Sequence, residues 1–210
     1  MRSLNRMRHH FYLSWAFAGF GDTSRELREL NQATGLLVTE SRMSAWEYGE
    51  VGVGLVRAGA VKEAVALLEH VRSKVNPQDA LEMSLFRRFE AEVELARGNF
   101  GRAVELLEAV VKESDRNLFV ESLARAYEKS GATDKAITTY EEFLAMPTYL
   151  GWEPQRYWLE AHAALARLYA GRGEKQKAIA LLDKLLALWR EADPGAPRLL
   201  ETRDLRASLN

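Results

Sequence analysis

No cysteine occurs among the 210 residues, so disulfide frameworks, thiolate metal centres and cysteine nucleophiles are excluded together. No apolar run reaches the roughly 18 residues that a bilayer span requires. No charge of one sign dominates either. Lysine and arginine number 29 and aspartate and glutamate 30, so no global basic field advertises nucleic acid or an anionic membrane. Strands lack a signal, because no stretch alternates apolar and polar residues for long enough to compete with helical spacing. What is present is globular: 47% hydrophobic and 28% charged residues, enough to build a real core in a 23.8 kDa chain.

The first twenty residues combine Arg2, Arg6 and Arg8 with an apolar stretch, Phe11 to Phe20, interrupted by Ser14 and Gly19, and no acidic residue precedes Asp22. With Ala16-Phe17-Ala18 this imitates a secretory signal peptide. Cleavage after Ala18 would leave only about five apolar residues, short of the ~7–15 of a signal core. The segment therefore reads as a buried first helix of a cytoplasmic protein, with the signal peptide as the alternative.

A repeat emerges from the glycines. Gly59, Gly98, Gly131 and Gly173 each stand seven residues after a small residue (Gly52, Ala91, Ala124, Ala166) and five before an alanine (Ala64, Ala103, Ala136, Ala178). Nine residues beyond each comes a bulky side chain (Leu68, Leu107, Tyr140, Leu182), and three further on another (Val71, Val110, Phe143, Leu185). A helical hairpin explains all of these offsets. The glycine ends one helix where a left-handed cap costs no Cβ clash, the small residues let antiparallel helices approach, and the bulky pair lies on one face of the second helix, toward the neighbouring hairpin. Asn76-Pro77-Gln78-Asp79 reads as a helix start with proline at the first position, and Thr133 as a cap for the helix carrying Ala136.

This pattern resembles the tetratricopeptide repeat (TPR) family, whose unit is a helix–turn–helix of about 34 residues. The resemblance covers 44–190 as four units. A degenerate hairpin occupies 1–40, where Leu13, Ser14, Phe17, Gly21, Leu30 and Ala33 keep the offsets but Glu26 replaces alanine. The glycine spacings of 39, 33 and 42 predict longer first helices, or inserted turns, in the second and fourth units. The implied fold is all-α: a single right-handed α-solenoid over 1–210 of about eleven helices. Residues 194–210 form a capping helix with Leu199, Leu200 and Leu205 inward and Arg198, Arg203 and Arg206 outward. The segment from Leu185 onward also resembles the end of TPR arrays in bacterial multi-domain signalling proteins.

Catalytic constellations are missing. His9 and His10 lie beside arginines, His70 and His162 sit among alanines and leucines, and no cluster has ligand spacing. Gly49, Gly52 and Gly54 fall inside a helix and not after a strand, which excludes a nucleotide loop; Trp46 and Leu55 are expected to hold that helix together. Carboxylates such as Glu63 scatter on solvent faces near Lys62 and Arg57. No metal or cofactor is therefore expected, and no enzymatic activity.

The resemblance implies a scaffold or docking module that binds a protein or peptide in a groove lined by the first helices. Candidate groove residues are Arg88, Glu92, Glu121, Arg125, Glu128, Glu160 and Arg167, with Glu92, Arg125 and Arg167 in register because each follows the small residue. A second candidate is the lengthened loop, with Tyr149 and Trp152 followed by Tyr157 as aromatic anchors. Trp46, Gly49 and Val53 stand where carboxylate-gripping TPR domains place lysine and asparagine, which argues against a chaperone-tail clamp. The alternatives are self-association through a terminal face as a homo-oligomer, a helical-repeat enzyme, and RNA binding. The mixed charge of the inner face speaks against RNA.

Overall fold

The computed structural model describes residues 2–39, 44–114, 117–146 and 153–209. Every regular element among them is a helix, and consecutive helices pair as hairpins: α1 (Arg2–Phe20) with α2 (Thr23–Thr39), α3 (Ala45–Arg57) with α4 (Val61–Arg72), α5 (Ala80–Ala96) with α6 (Phe100–Glu113), α7 (Asn117–Lys129) with α8 (Thr133–Ala145), and α9 (Glu153–Gly171) with α10 (Lys175–Leu188). A last helix, α11 (Pro197–Ser208), packs on α10. The chain divides into two compact units, Met1–Ala18 with Asp22–Asp115, and Gly19–Gly21 with Arg116–Asn210.

Each hairpin turns on a glycine with positive φ: Gly21, Gly59, Gly98, Gly131 and Gly173 lie between 77° and 87°. The residue after each glycine donates its backbone N–H to the carbonyl five residues back. These bonds run Asp22 to Phe17, Ala60 to Leu55, Asn99 to Glu94, Ala132 to Tyr127 and Glu174 to Tyr169, all at 2.9 Å. This 6→1 closure consumes carbonyls that the helix end leaves unpaired. The first hairpin, degenerate in sequence, thus turns like the other four.

Three of these turns, at Gly21, Gly131 and Gly173, carry a further regularity. The side chain four before the glycine meets the one four after it: Arg25 lies over Phe17, Lys135 over Tyr127 and Lys177 over Tyr169, at 5.4, 5.0 and 4.9 Å. A cation above a ring face is attracted by the ring quadrupole.

Both small positions lie in the core. Ala91, Ala124, Ala166, Ala64, Ala103, Ala136 and Ala178 are all buried, as are all eight bulky residues of the second helices. Gly52 is small for a reason other than pairing with α4. A Cβ there would fall 2.1 Å from Cζ of Phe89, so the glycine opens a slot for a ring from α5 of the next hairpin. Helix lengths follow the glycine spacings: α5 has 17 residues and α9 has 19, against 13 in α3 and in α7.

Several local expectations shift. Helix α5 begins three residues later than the proline suggested. Asp79 is the N-cap, accepting from the N–H groups of Leu81 and Glu82 at 2.9 and 3.0 Å, while Asn76 closes a turn by accepting from Gln78 N–H at 3.0 Å. Thr133 is the first residue of α8 and Ala132 its N-cap. On α11, Leu199 is buried but Leu200 is exposed, because neighbours on a helix point about 100° apart. Thr202 takes the inward place, its hydroxyl donating to the Arg198 carbonyl at 2.8 Å. Arg198 and Arg206 fasten this helix to its own unit through Glu160 (3.2 Å) and Asp183 (2.7 Å).

Candidate functional site

In the first unit the candidate side chains are enclosed. Helix α3 is buried at every position from Glu47 to Val56, because glycines and valines let α2, α4 and α5 close around it. Its carboxylates are buried with it. Glu50 receives the guanidinium of Arg88, which is 1% exposed, and Glu92, 0% exposed, receives that of Arg57 at 2.6 Å. These pairs tie α3 to α5 twice, in opposite senses. Arg88 and Glu92 face neither solvent nor any groove of this unit, and Arg57 is not on a solvent face as the sequence suggested.

A third buried carboxylate organises the start of the unit. One oxygen of Glu47 accepts from Nε and a terminal nitrogen of Arg8 at 3.1 and 2.6 Å. The other accepts from the backbone N–H of Ser44 at 2.8 Å and from its hydroxyl. Burial alone would raise the Glu47 pKa, but the hydrogen bonds from Ser44 and Arg8 outweigh it and hold the group below the ordinary carboxylate value. His10, placed by sequence among arginines, pairs through Nδ1 with Glu29 of α2 at 2.7 Å.

The second unit is more open. Along the repeat position just after the small residue, Val53 and Glu92 are buried, Arg125 is half-buried, and the Arg167 side chain is 57% exposed. Arg167 pairs with Glu128 across α9 and α7 at 3.7 Å, and the same carboxylate accepts from the Tyr140 hydroxyl at 2.8 Å. Glu160 accepts from Arg156 at 3.1 Å and from Arg198 at 3.2 Å. Glu121 is buried. Tyr157 is buried in the core, while Tyr149 and Trp152 lie outside the described residues. His162 is buried against the Trp158 ring, centroids 3.7 Å apart, and its Nδ1 meets the Trp158 carbonyl at 2.9 Å; burial lowers its pKa. Tyr169 donates to Glu141, and burial together with that carboxylate pushes its hydroxyl upward.

Among the described residues no group of three or more His, Asp or Glu side chains could hold a metal ion, and no helix is long and apolar enough to cross a membrane. The arrangement offers hydrogen bonds and charge on helix faces.

Residues 120–148 and 161–193 match the family model described as tetratricopeptide repeat, and they coincide with the α7–α8 and α9–α10 hairpins. In these two hairpins the chain carries tetratricopeptide repeats. Solved structures agree in fold. A thermophilic TPR protein of Thermus thermophilus is similar with a TM-score of 0.63 at 17% identity, over 97% of this chain and 98% of that one. BtubC from P. vanneervenii is similar with a TM-score of 0.60 at 16% identity, over 97% of this chain and 82% of that one. No curated protein matches the sequence.

The buried pairs of the first unit were what residue patterns concealed. Glu50 and Arg88 are 38 residues apart, and each alone looks like ordinary surface charge. The available signal was α3 itself: a helix whose residues are small or apolar on every side must be enclosed, and any carboxylate within it must then find a cation.

Proposed function

We propose that this chain is a non-enzymatic interaction module whose partner, a protein or peptide, lies on the first-helix face of the second unit, against Arg125, Glu128, Glu160 and Arg167. One observation carries the reading. Arg167 is largely solvent-exposed and its pair with Glu128, at 3.7 Å, is long, so an incoming acceptor can take over the guanidinium at little cost. The TPR fold supports a protein partner over a small molecule, and the exclusion of Arg88 and Glu92 from solvent concentrates the reading on α7 and α9.

The test is charge reversal. The variant Arg125→Glu/Arg167→Glu and the wild type are used as bait in extracts of the native host, with circular dichroism measured on both. Loss of a co-purifying protein at unchanged helicity supports the site. Retention of that protein at wild-type level places it elsewhere.

A further inference from the structure

Helix α1 has a second face. Its inward row, Met7, Phe11 and Trp15, is buried in the core of the first unit. Its outward row is exposed from end to end: Asn5, His9, Tyr12, Ala16 and Phe20 follow one another at three- and four-residue steps, a strip of about 22 Å at 1.5 Å per residue. Tyr12 is 39% and Phe20 53% exposed. The other large apolar side chains exposed among the described residues, Val38, Leu81, Phe100, Leu188 and Leu200, each stand alone on a different helix. Two exposed rings two turns apart, with only an alanine between them, form a continuous apolar track.

Charge completes the description. Residues 1–39 hold five arginines and three carboxylates, whereas the rest of the chain holds 24 basic and 27 acidic residues. Of the three carboxylates, Glu26 is buried, Glu29 is engaged by His10 and Asp22 by Arg25. Arg6, beside the track on α1, and Arg28, adjacent on α2 to the Glu29 that meets His10, are both exposed.

We propose that the outer face of α1 is a docking surface for an acidic amphipathic segment of a protein partner, whose apolar side chains cover Tyr12, Ala16 and Phe20 and whose carboxylates meet Arg6 and Arg28. Aromatic anchors flanked by arginine are the chemistry of binding hot spots. A second copy pairing through the same face does not fit, because it would set the same cations against one another. A lipid surface fits less well, since two rings offer little apolar area to an interface that binds in proportion to it.

The probe is a fluorescent helical peptide of about 16 residues, glutamates on one side and leucine and phenylalanine on the other, followed by anisotropy with the full chain. Binding is expected to weaken about tenfold, a loss of roughly 1.4 kcal/mol, in Tyr12→Ala/Phe20→Ala and again, separately, in Arg6→Glu/Arg28→Glu. It should be unchanged in Arg125→Glu/Arg167→Glu, and a counterpart peptide with lysine for glutamate should bind at least tenfold more weakly. The charge pair stands on exposed positions, so it tests the surface even if the aromatic variant loses helicity. The proposal is overturned if the acidic peptide fails to bind, if neither α1 variant weakens it, if the lysine peptide binds equally, or if the second-unit variant abolishes binding. It is also overturned if phosphatidylserine–phosphatidylcholine vesicles capture the chain and the α1 variants release it.

Discussion

Glycine-to-alanine substitution inside helices should act with opposite sign at two places in this protein. At Gly35, in α2, an added Cβ meets nothing within 4 Å. The usual helix preference for alanine then applies, a gain of up to ~1 kcal/mol. At Gly52 the same methyl would stand 2.1 Å from Cζ and 2.4 Å from both Cε atoms of Phe89, and that ring is fully buried. The ring must move by about an ångström within a packed core, and a clash this close falls in the upper part, ~2–3 kcal/mol, of the usual overpacking cost. The clash exceeds the propensity gain, leaving Gly52→Ala less stable by ~1–2 kcal/mol. For a chain of this length that corresponds to a fall of roughly 2–8 °C in melting midpoint, against a rise of a few degrees for Gly35→Ala. Circular dichroism melts, with urea titrations followed by tryptophan fluorescence, read both effects. A double-mutant cycle isolates the cause: in a Phe89→Leu background the offending ring atoms are gone, and the Gly52→Ala penalty should shrink by ~1 kcal/mol. Were Gly52→Ala to stabilise the protein as Gly35→Ala does, the role assigned to this glycine would be wrong.

Three other perturbations have defined outcomes. Arg88→Ala removes the guanidinium that Glu50 receives inside the core and should cost ~3–5 kcal/mol, whereas Arg88→Met/Glu50→Leu should recover most of that loss; urea midpoints compare the two. Glu47 has a folded pKa below its ordinary value of 4.5, so its contribution is fully present above that pH and disappears as pH falls through the folded value. The stability gap between wild type and Glu47→Gln, measured by urea titration at a series of pH values, should therefore be widest at neutral pH and narrow as the pH is lowered below 4.5. For His162, the burial-lowered pKa means that the unfolded chain takes up a proton first. Stability should drop as pH falls from its unfolded value of 6.5, and His162→Leu should remove that component from the pH profile of the melting midpoint.

How much of this was legible beforehand depends on the range of the interaction. The turns were, because a left-handed glycine and its flanking small residues are requirements of a few neighbouring positions; all four expected glycines, and Gly21, adopt that conformation. The long α5 and α9 could likewise be read from glycine spacing. The starts of α5 and α8 were missed by one to three residues because Asn76, Asp79 and Thr133 all carry side chains able to cap, and only the path of the chain selects among them. The fate of the charges was hidden for a different reason. Arg88, Glu92 and Arg167 occupy comparable places on first helices, yet two are enclosed by neighbours and one is not, a difference decided by what packs from dozens of residues away. Pairings such as Arg8 with Glu47 and His10 with Glu29 belong to the same class.

The seam between α3 and α5 restricts how this array can be lengthened. Where adjoining hairpins meet through interchangeable hydrocarbon, an extra one can be spliced in by copying. Here the α5–α6 segment is cut to its predecessor alone: its arginine seeks Glu50 and its Phe89 ring seeks the hollow at Gly52. A duplicate inserted after α6 would find Phe89 at the place of Glu50 and Ala91 at the place of Gly52, so it would present a guanidinium to a ring edge and a ring to a methyl. The α5–α6 hairpin is thereby assigned one address in the stack, and moving it elsewhere would strip the seam of both fits.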